Sequence, residues 1–337
     1  MSNNLLGSLS KKFGNSVAIA SVEENPYKTW IDTGSYTLNK AIHPQGLGVT
    51  TGIIMEYYGD YSTGKTLLAN YLLKNTLKNN GVGILIDTEG AYDVNRAIDL
   101  GIDIEKLIIF KPVTYDKDDD SIPLTRKDIE ERIVETIKTV HKQYGQGKLL
   151  TIVWDSVSVT NSERDLEGKG DQGLNAKEIK GIVRRILPLI VSSNTLLVPI
   201  SQTYNVISPV PVAEKQIAVG GKGIKFNSHV RIEFEAKRGK AGKVFDEESE
   251  FPIGVKLHFE VDKNRIGPPF RHGVIDFLFD KEGKPYLDYY SGYMDYLIAI
   301  KAVDDKSIKG WIVVGNDKYR RTDIVKVLKD HPELLTV

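Results

Sequence analysis

The sequence predicts an α/β fold with a mostly parallel sheet, and three observations predict it. From Gly52 onward, short apolar runs alternate with stretches of helical periodicity, the order that lays helices over a parallel sheet. Two of the runs, Gly83–Ile86 and Leu149–Trp154, are almost continuously apolar, as strands buried on both faces are, and a carboxylate closes each, Asp87 and Asp155. The third observation is Gly59-Asp60-Tyr61-Ser62-Thr63-Gly64-Lys65-Thr66, which fits G-x-x-x-x-G-K-[ST] between an apolar run (Gly52–Tyr58) and a predicted helix (Thr66–Lys78). The glycines let the backbone curl its N–H groups toward phosphate oxygens, and the helix N-terminus adds partial positive charge there. Lys65 is placed to reach the β- and γ-phosphates and the Thr66 hydroxyl to ligate Mg²⁺.

Composition bounds the rest. The chain has 337 residues, enough for a large core and about two domains. With 45 basic and 45 acidic residues its formal net charge is zero, so any nucleic-acid affinity must come from local clusters. There is no Cys, which excludes disulfides and thiolate metal sites. No apolar run reaches membrane-spanning length and no secretory signal is evident, so a cytoplasmic location is expected.

The elements follow in order. Residues 1–45 read as an appendage, with a short helix over Leu5–Phe13 and a strand over Val17–Val22. That strand either pairs with a neighbouring subunit or packs on its own domain. After the phosphate loop come strands at Gly83–Asp87 and Leu107–Phe110; the acidic run Asp116–Asp120 reads as a solvated loop. A helix over Thr125–Tyr144 carries the apolar stripe Ile129, Ile133, Val134, Ile137 and Val140, and Thr125 with Asp128 resembles a capping pair. Glu163–Gly173 is polar and reads as a loop. The helix Leu174–Leu187 then sets Ile179, Ile182, Val183 and Ile186 on one face and Lys177, Lys180 and Arg184 on the other, with Arg185 beside them. Thr195–Gln202 reads as a strand, although Pro199 is awkward in a central one. Thr203–Gly221 is a long loop of the kind that carries function. His229–Ala236, Gly254–Val261 and Gly273–Phe279 suggest antiparallel strands closing one sheet edge, and a small unit with helices near Tyr293–Lys301 and Arg321–Lys329 ends the chain.

Ligands bind at the carboxyl ends of strands in open α/β sheets. Three polar residues fall there: Asp155 at a metal-holding position, Glu89 just past its strand, where it can orient or deprotonate an attacking water, and Gln202, whose amide can bond a γ-phosphate and feel its loss. Each alone reads equally as a solvated strand end; their convergence with the phosphate loop favours a hydrolytic site.

At this point the chain resembles the RecA-family recombinases over nearly its whole length, and in particular a phage-type RecA-like strand-exchange protein. The resemblance rests on Leu9-Ser10-Lys11-Lys12-Phe13-Gly14, Ile31-Asp32-Thr33-Gly34-Ser35, Ile86-Asp87-Thr88-Glu89-Gly90-Ala91-Tyr92-Asp93, Val153-Trp154-Asp155-Ser156-Val157, Ser193–Gln202, Gly220–Phe226 and Asp262-Lys263-Asn264-Arg265-Ile266-Gly267-Pro268-Pro269-Phe270. It implies a RecA-like P-loop ATPase core over residues 46–283, an N-terminal oligomerisation segment over 1–45 and a small C-terminal α/β domain over 284–337. ATP and Mg²⁺ are the implied cofactors. Glu89 is the implied water-activating base, Asp155 the metal-side carboxylate and Gln202 the γ-phosphate sensor. Lys263 and Arg265 would act on the ATP of a neighbouring subunit, and Asp93 would contact the adenine. Arg96 departs from the pattern, standing where bacterial members commonly place a base-stacking Tyr. The C-terminal unit is short and lacks an acidic tail, so regulation by such a tail is not expected.

The resemblance also makes Glu163–Gly173 and Thr203–Gly221 the two DNA loops. Lys169, Lys177, Arg184, Arg185, Tyr204, Gly220, Gly221 and Lys222 are the implied contacts, binding phosphates without reading sequence. Read alone, the basic helix face is a solvated surface. The implied activity is an ATP-dependent recombinase that forms helical filaments on single-stranded DNA and pairs it with homologous duplex DNA, in the cytoplasm of a bacterial host if phage-encoded. A single-strand-binding protein and a loader are the accessory partners to expect. Two other readings stay open: a ring-forming helicase-type motor, and an ATP-gated recombination mediator.

Overall fold

A computed structural model describes residues 2–14, 17, 29–115, 121–170, 172–205, 216–218, 221–237, 239–245, 250–303 and 310–337. Helix α1 (Ser2–Phe13) matches the expected N-terminal helix; the expected strand at Val17–Val22 lies, apart from Val17, outside the described residues. The expected appendage is partly core. Strand β1 (Trp30–Ile31), helix α2 (Tyr36–Ile42) and strand β2 (Val49–Thr50) bury Ile31, Leu38, Ala41 and Ile42 against the main domain. Ser35 starts α2 by accepting a bond from Leu38 N.

The main domain follows as β3 (Ile53–Gly59), α3 (Lys65–Lys78), β4 (Val82–Asp87), α4 (Val94–Asp99) and β5 (Leu107–Phe110). A hairpin, β6 (Val113–Tyr115) and β7 (Ser121–Pro123), leads to α5 (Arg126–Tyr144) and β8 (Leu150–Asp155). Thr125 and Asp128 close the expected capping box on α5. Next come α6 (Glu163–Leu166), α7 (Gln172–Val191), β9 (Thr195–Asn205), β10 (Gln216–Ala218), α8 (Gly221–Asn227) and β11 (Val230–Glu235). Strands β12 (Lys243–Phe245), β13 (Pro252–Asn264), β14 (His272–Phe279) and β15 (Pro285–Leu287) complete the main sheet.

The strand order along that sheet is β15-β14-β13-β11-β3-β9-β8-β4-β5. From β11 to β5 every pairing is parallel; from β11 outward to β15 every pairing is antiparallel. β11 thus corrects one expectation: it runs parallel to the phosphate-loop strand, and the antiparallel edge begins one strand later. β15 carries the sheet past residue 283, so the expected domain boundary falls inside it. Pro199 does lie in a central strand. It faces Trp154 of β8, and toward β3 the ladder passes from Ile54↔Leu197 to Tyr57↔Ile200, leaving a gap where the proline has no N–H to give.

Side chains alternate between the two faces, as strand geometry requires. Met55, Leu85 and Val153 join α3 through Leu68, Leu72 and Leu73 on one side. Ile54, Ile84, Ile86, Ile152 and Trp154 join α5 and α7 on the other, through Ile129, Ile133, Ile137, Ile179, Ile182 and Ile186. The central strands β3, β4 and β8 are buried on both faces, which is why they read as nearly unbroken apolar runs. The chain ends in a separate cluster: α9 (Tyr293–Ala299), the hairpin β16 (Trp311–Val314) and β17 (Asp317–Arg320), and α10 (Ile324–Asp330) gather Tyr293, Leu297, Ile312, Tyr319 and Val327, with Tyr36 of α2 packed against them. Among the described residues no helix is long and apolar enough to cross a membrane.

Candidate functional site: a phosphate loop and a nucleic-acid face

The strands β3, β4, β8 and β9 end at one edge of the sheet. Gly59 pairs with Gln202 and Asp87 with Asp155, so the phosphate loop, the metal-side carboxylate and the amide emerge side by side. Two glycines allow the loop its path. Gly59 has φ 143° and passes so close to Phe234 of β11 that a Cβ would lie 2.1 Å from its carbonyl oxygen. Gly64, at φ 89°, turns the chain into α3 against the Leu257 side chain.

Lys65 folds back inside this loop. Its Nζ donates to Gly59 O (3.0 Å), to Thr63 Oγ1 (3.2 Å) and to Asp60 O. Burial lowers its pKa to about 8, against the pull of Asp155, Asp60 and Glu89. Thr66 Oγ1 donates to Asp155 Oδ2 at 2.6 Å. Burial raises Asp155 to about 6, with Glu89 and Asp87 adding to the rise and the Thr66 bond opposing it. Glu89 Oε1 accepts from Ser156 Oγ (2.7 Å) and from Gln202 Nε2 (3.0 Å), while Gln202 N donates to Ser158 Oγ (2.7 Å). Glu89, Asp155 and Gln202 are therefore brought together. Ser156, expected only as part of the strand-end motif, holds Glu89, and Ser158, which has no sequence signal beyond lying past a strand end, holds Gln202.

Asp87 spends its carboxylate on the following turn, accepting from Gly90 N (2.8 Å) and Tyr92 N (3.1 Å). Asp93 caps α4, accepting from Arg96 N at 3.1 Å, and the Arg96 guanidinium lies 5.4 Å from the centre of the Phe277 ring. With Ser62–Thr66, Leu257 and Phe277, these two residues line a cleft of about 520 Å³ beside the loop.

Lys263 and Arg265 are not in this site. Lys263 pairs with Arg231, and Arg265 N bonds His229 O, which is level with Ile54 at the start of β3. Lys263 Nζ donates to Lys225 O and Phe226 O, both at 2.9 Å, and Arg265 Nη2 reaches Phe226 O at 3.5 Å. Burial first, then Arg265 and Arg231, lower Lys263 to about 8. The adjacent Arg231 is buried, held by Glu56 Oε2 (2.5 Å) and Asp262. The two cations face away from their own chain's phosphate loop, at the opposite edge of the sheet.

The family model described as the RecA N-terminal domain matches residues 2–283. The chain belongs to the RecA family. Protein RecA of Thermus aquaticus is 28% identical over 341 residues, covering 98% of this chain and 90% of its own length. Protein RecA of Campylobacter lari is 32% identical over 279 residues, covering 81% of this chain and 73% of its own, and that of Helicobacter pylori strain Shi470 is 33% identical over 282 residues, covering 81% and 71%. The RecA family is one of DNA recombinases, and this chain shares that function.

Of the residues expected to meet DNA, Lys169 lies just past α6, Lys177, Arg184 and Arg185 lie on α7, Tyr204 on the β9–β10 ribbon, and Gly221 and Lys222 at the start of α8. The expected first DNA loop, residues 163–173, is not purely a loop: Ser162 and Asp165 form a capping box that winds residues 163–166 into the short helix α6. Lys177 and Arg184 are exposed on α7 with no side-chain bond to the described residues, whereas Arg185 makes a forked bond to Glu130 of α5 (2.5 and 2.6 Å) and Lys169 pairs with Glu167 at 3.1 Å. The second loop begins and ends as a ribbon, Thr203–Asn205 pairing with Gln216–Ala218; Tyr204 lies in it, and residues 206–215 fall outside the described residues. Gly220 also falls outside them. Gly221 and Lys222 open α8, which packs on α7 where Gly223 meets the Lys180 backbone; a Cβ on Gly223 would lie 2.7 Å from Lys180 Cβ.

Proposed function

We propose that this RecA-family chain is a DNA-dependent ATPase that forms filaments on single-stranded DNA and carries out homologous pairing and strand exchange with duplex DNA, each ATP lying between two subunits. The observation that carries the reading is the placement of its charges. Lys65, Thr66, Asp155, Glu89 and Gln202 share one sheet edge, and Lys263 and Arg265 sit at the other. A head-to-tail assembly brings the second set to a neighbour's first set.

The residues fit the implied cofactors. The Gly59–Thr66 loop is open enough at Gly59 and Gly64 for backbone N–H groups to face phosphate oxygens. Thr66 Oγ1 and Asp155 Oδ2 are hard oxygen donors 2.6 Å apart, and no group of three or more metal-ligating acids or histidines exists among the described residues. That donor set suits Mg²⁺, which takes one or two protein oxygens and the substrate's phosphates. When bound, Mg²⁺ neutralises charge on the transferring phosphoryl group.

The protein's own part is positioning. Lys65 moves from the backbone carbonyls to the phosphates. Glu89 orients the attacking water and takes its proton, with Ser156 and Gln202 fixing one carboxylate oxygen. Gln202, bonded to the base and continuous with the DNA ribbon, reports the γ-phosphate to the second loop. Lys263 and Arg265 stabilise charge from the next subunit. The Asp93 and Arg96 side of the cleft receives the base, which the guanidinium can stack on. Lys169, Lys177, Arg184, Arg185, Tyr204, Gly220, Gly221 and Lys222 form the DNA face. ATPase rates with and without single-stranded DNA, followed by electron microscopy of the complex, test the reading. Stimulated turnover on open filaments is expected; closed rings or a DNA-indifferent rate would overturn it.

A further inference from the structure

Arg126 begins α5 with its guanidinium almost wholly buried. Its Nη1 lies 3.2 Å from Glu178 Oε2 on α7 and 3.4 Å from Asp165 Oδ2 on α6, while its Nε finds no acceptor. Its backbone N donates to Asn161 O at 2.9 Å, so the start of α5 also grips the residue before the α6 cap. Asp165 is the hub of the short helix. It accepts from Ser162 N (2.7 Å) and from Asn175 Nδ2 (3.1 Å), and Lys127 adds an exposed pair to Glu163 at 3.3 Å. One buried cation thus ties the start of α5 to two consecutive helices well downstream in sequence.

Stability does not account for this cation. A buried ion pair gains little over apolar side chains of similar volume, and an orphaned N–H makes the balance worse. What the arrangement fixes is position: α6 cannot shift without uncovering the guanidinium. We infer that Arg126 is a positioning residue for the DNA face, holding residues 163–170 in place before DNA arrives. The inference rests on the reading of residues 163–173 as a DNA loop. Ordering the loop in advance lowers the cost of binding. Arg126 itself is enclosed and touches no phosphate. Its loss and the loss of a true phosphate contact therefore differ in salt dependence.

The test measures binding of the full chain to an oligo-dT strand over a salt series. Arg126→Met is expected to weaken binding about tenfold with an unchanged salt slope, since only preorganisation is lost. Amide exchange over residues 162–170 should quicken in the DNA-free protein while Tm holds. Lys177→Ala and Arg184→Ala should each flatten the slope by about 0.7. Should Arg126→Met fail to fold, Asp165→Asn removes the same tie from the α6 side and should show the same pattern. Wild-type affinity and exchange in these variants, beside a weakened Lys177→Ala, would overturn the inference, as would a flattened slope. Wild-type binding by Lys177→Ala and Arg184→Ala as well would overturn the DNA-loop reading and the inference with it.

Discussion

Arg265→Ala and Glu89→Ala, each inactive alone, should restore turnover when mixed. Arg265 is level with Ile54, and the run from Ile54 to Gly59 is five strand steps of about 3.3 Å, roughly 16 Å, with the side chain directed to the far edge. Its own phosphate loop is out of reach, so under the proposed function each complete site takes Glu89 from one subunit and Arg265 from the next. Each variant alone should lose about 10³-fold in rate, the usual worth of such a cation or base. In a random mixture with fraction f of one variant, f(1 − f) of the junctions hold both native residues. An equal mixture should therefore recover about a quarter of wild-type activity through its head-to-tail interfaces. The assay is ATP hydrolysis at saturating single-stranded DNA across mixing ratios. A flat line joining the two single-variant rates would refute the shared site and return Arg265 to a role within its own chain.

Three further outcomes follow from the geometry. Lys65→Met should abolish turnover while leaving the circular dichroism spectrum intact, because the ammonium's partners are loop carbonyls and one hydroxyl rather than core groups. Asp155 has a folded pKa of about 6, above its ordinary 3.8, so folding takes up a proton between those values and ionisation costs stability as pH rises through about 6. Mg²⁺-dependent nucleotide binding needs the ionised form and should weaken about tenfold per pH unit below 6, a dependence that Asp155→Asn should remove in a fluorescent-nucleotide titration. Gly223→Ala should destabilise the protein by about 1–3 kcal/mol, since the new methyl meets the Lys180 backbone on the facing helix; an unchanged Tm would show that the two helices can part freely.

Much of this was legible in the sequence for a definite reason. Strands buried on both faces must be apolar throughout, so β4 and β8 announced themselves, and the phosphate loop needs its residues in order along the chain. Other features depend on contacts the sequence does not order. The parallel direction of β11 is set by its neighbour, β3, and alternation looks the same in either direction. Trp30–Ile42 seemed an appendage because the elements that cover it come from residues far along the chain. The α6 turn lies in a polar stretch with no apolar periodicity, and its capping box, Ser162 with Asp165, winds only four residues. Arg126 carries no sequence signal of its burial, since both its carboxylate partners lie well downstream.

β9 is a single unbroken strand from Thr195 to Asn205, and it contains no glycine. Gln202 and the foot of the DNA ribbon therefore share one stiff rod with no joint between them. A rod of this kind carries tilt in both directions. Under the proposed function, whatever free energy the nucleotide spends in tightening the ribbon, DNA returns in equal measure at the Gln202–Glu89 bond. Single-stranded DNA should then tighten nucleotide binding by the same factor by which nucleotide tightens DNA binding, through a strand whose Gln202 is bonded to Glu89.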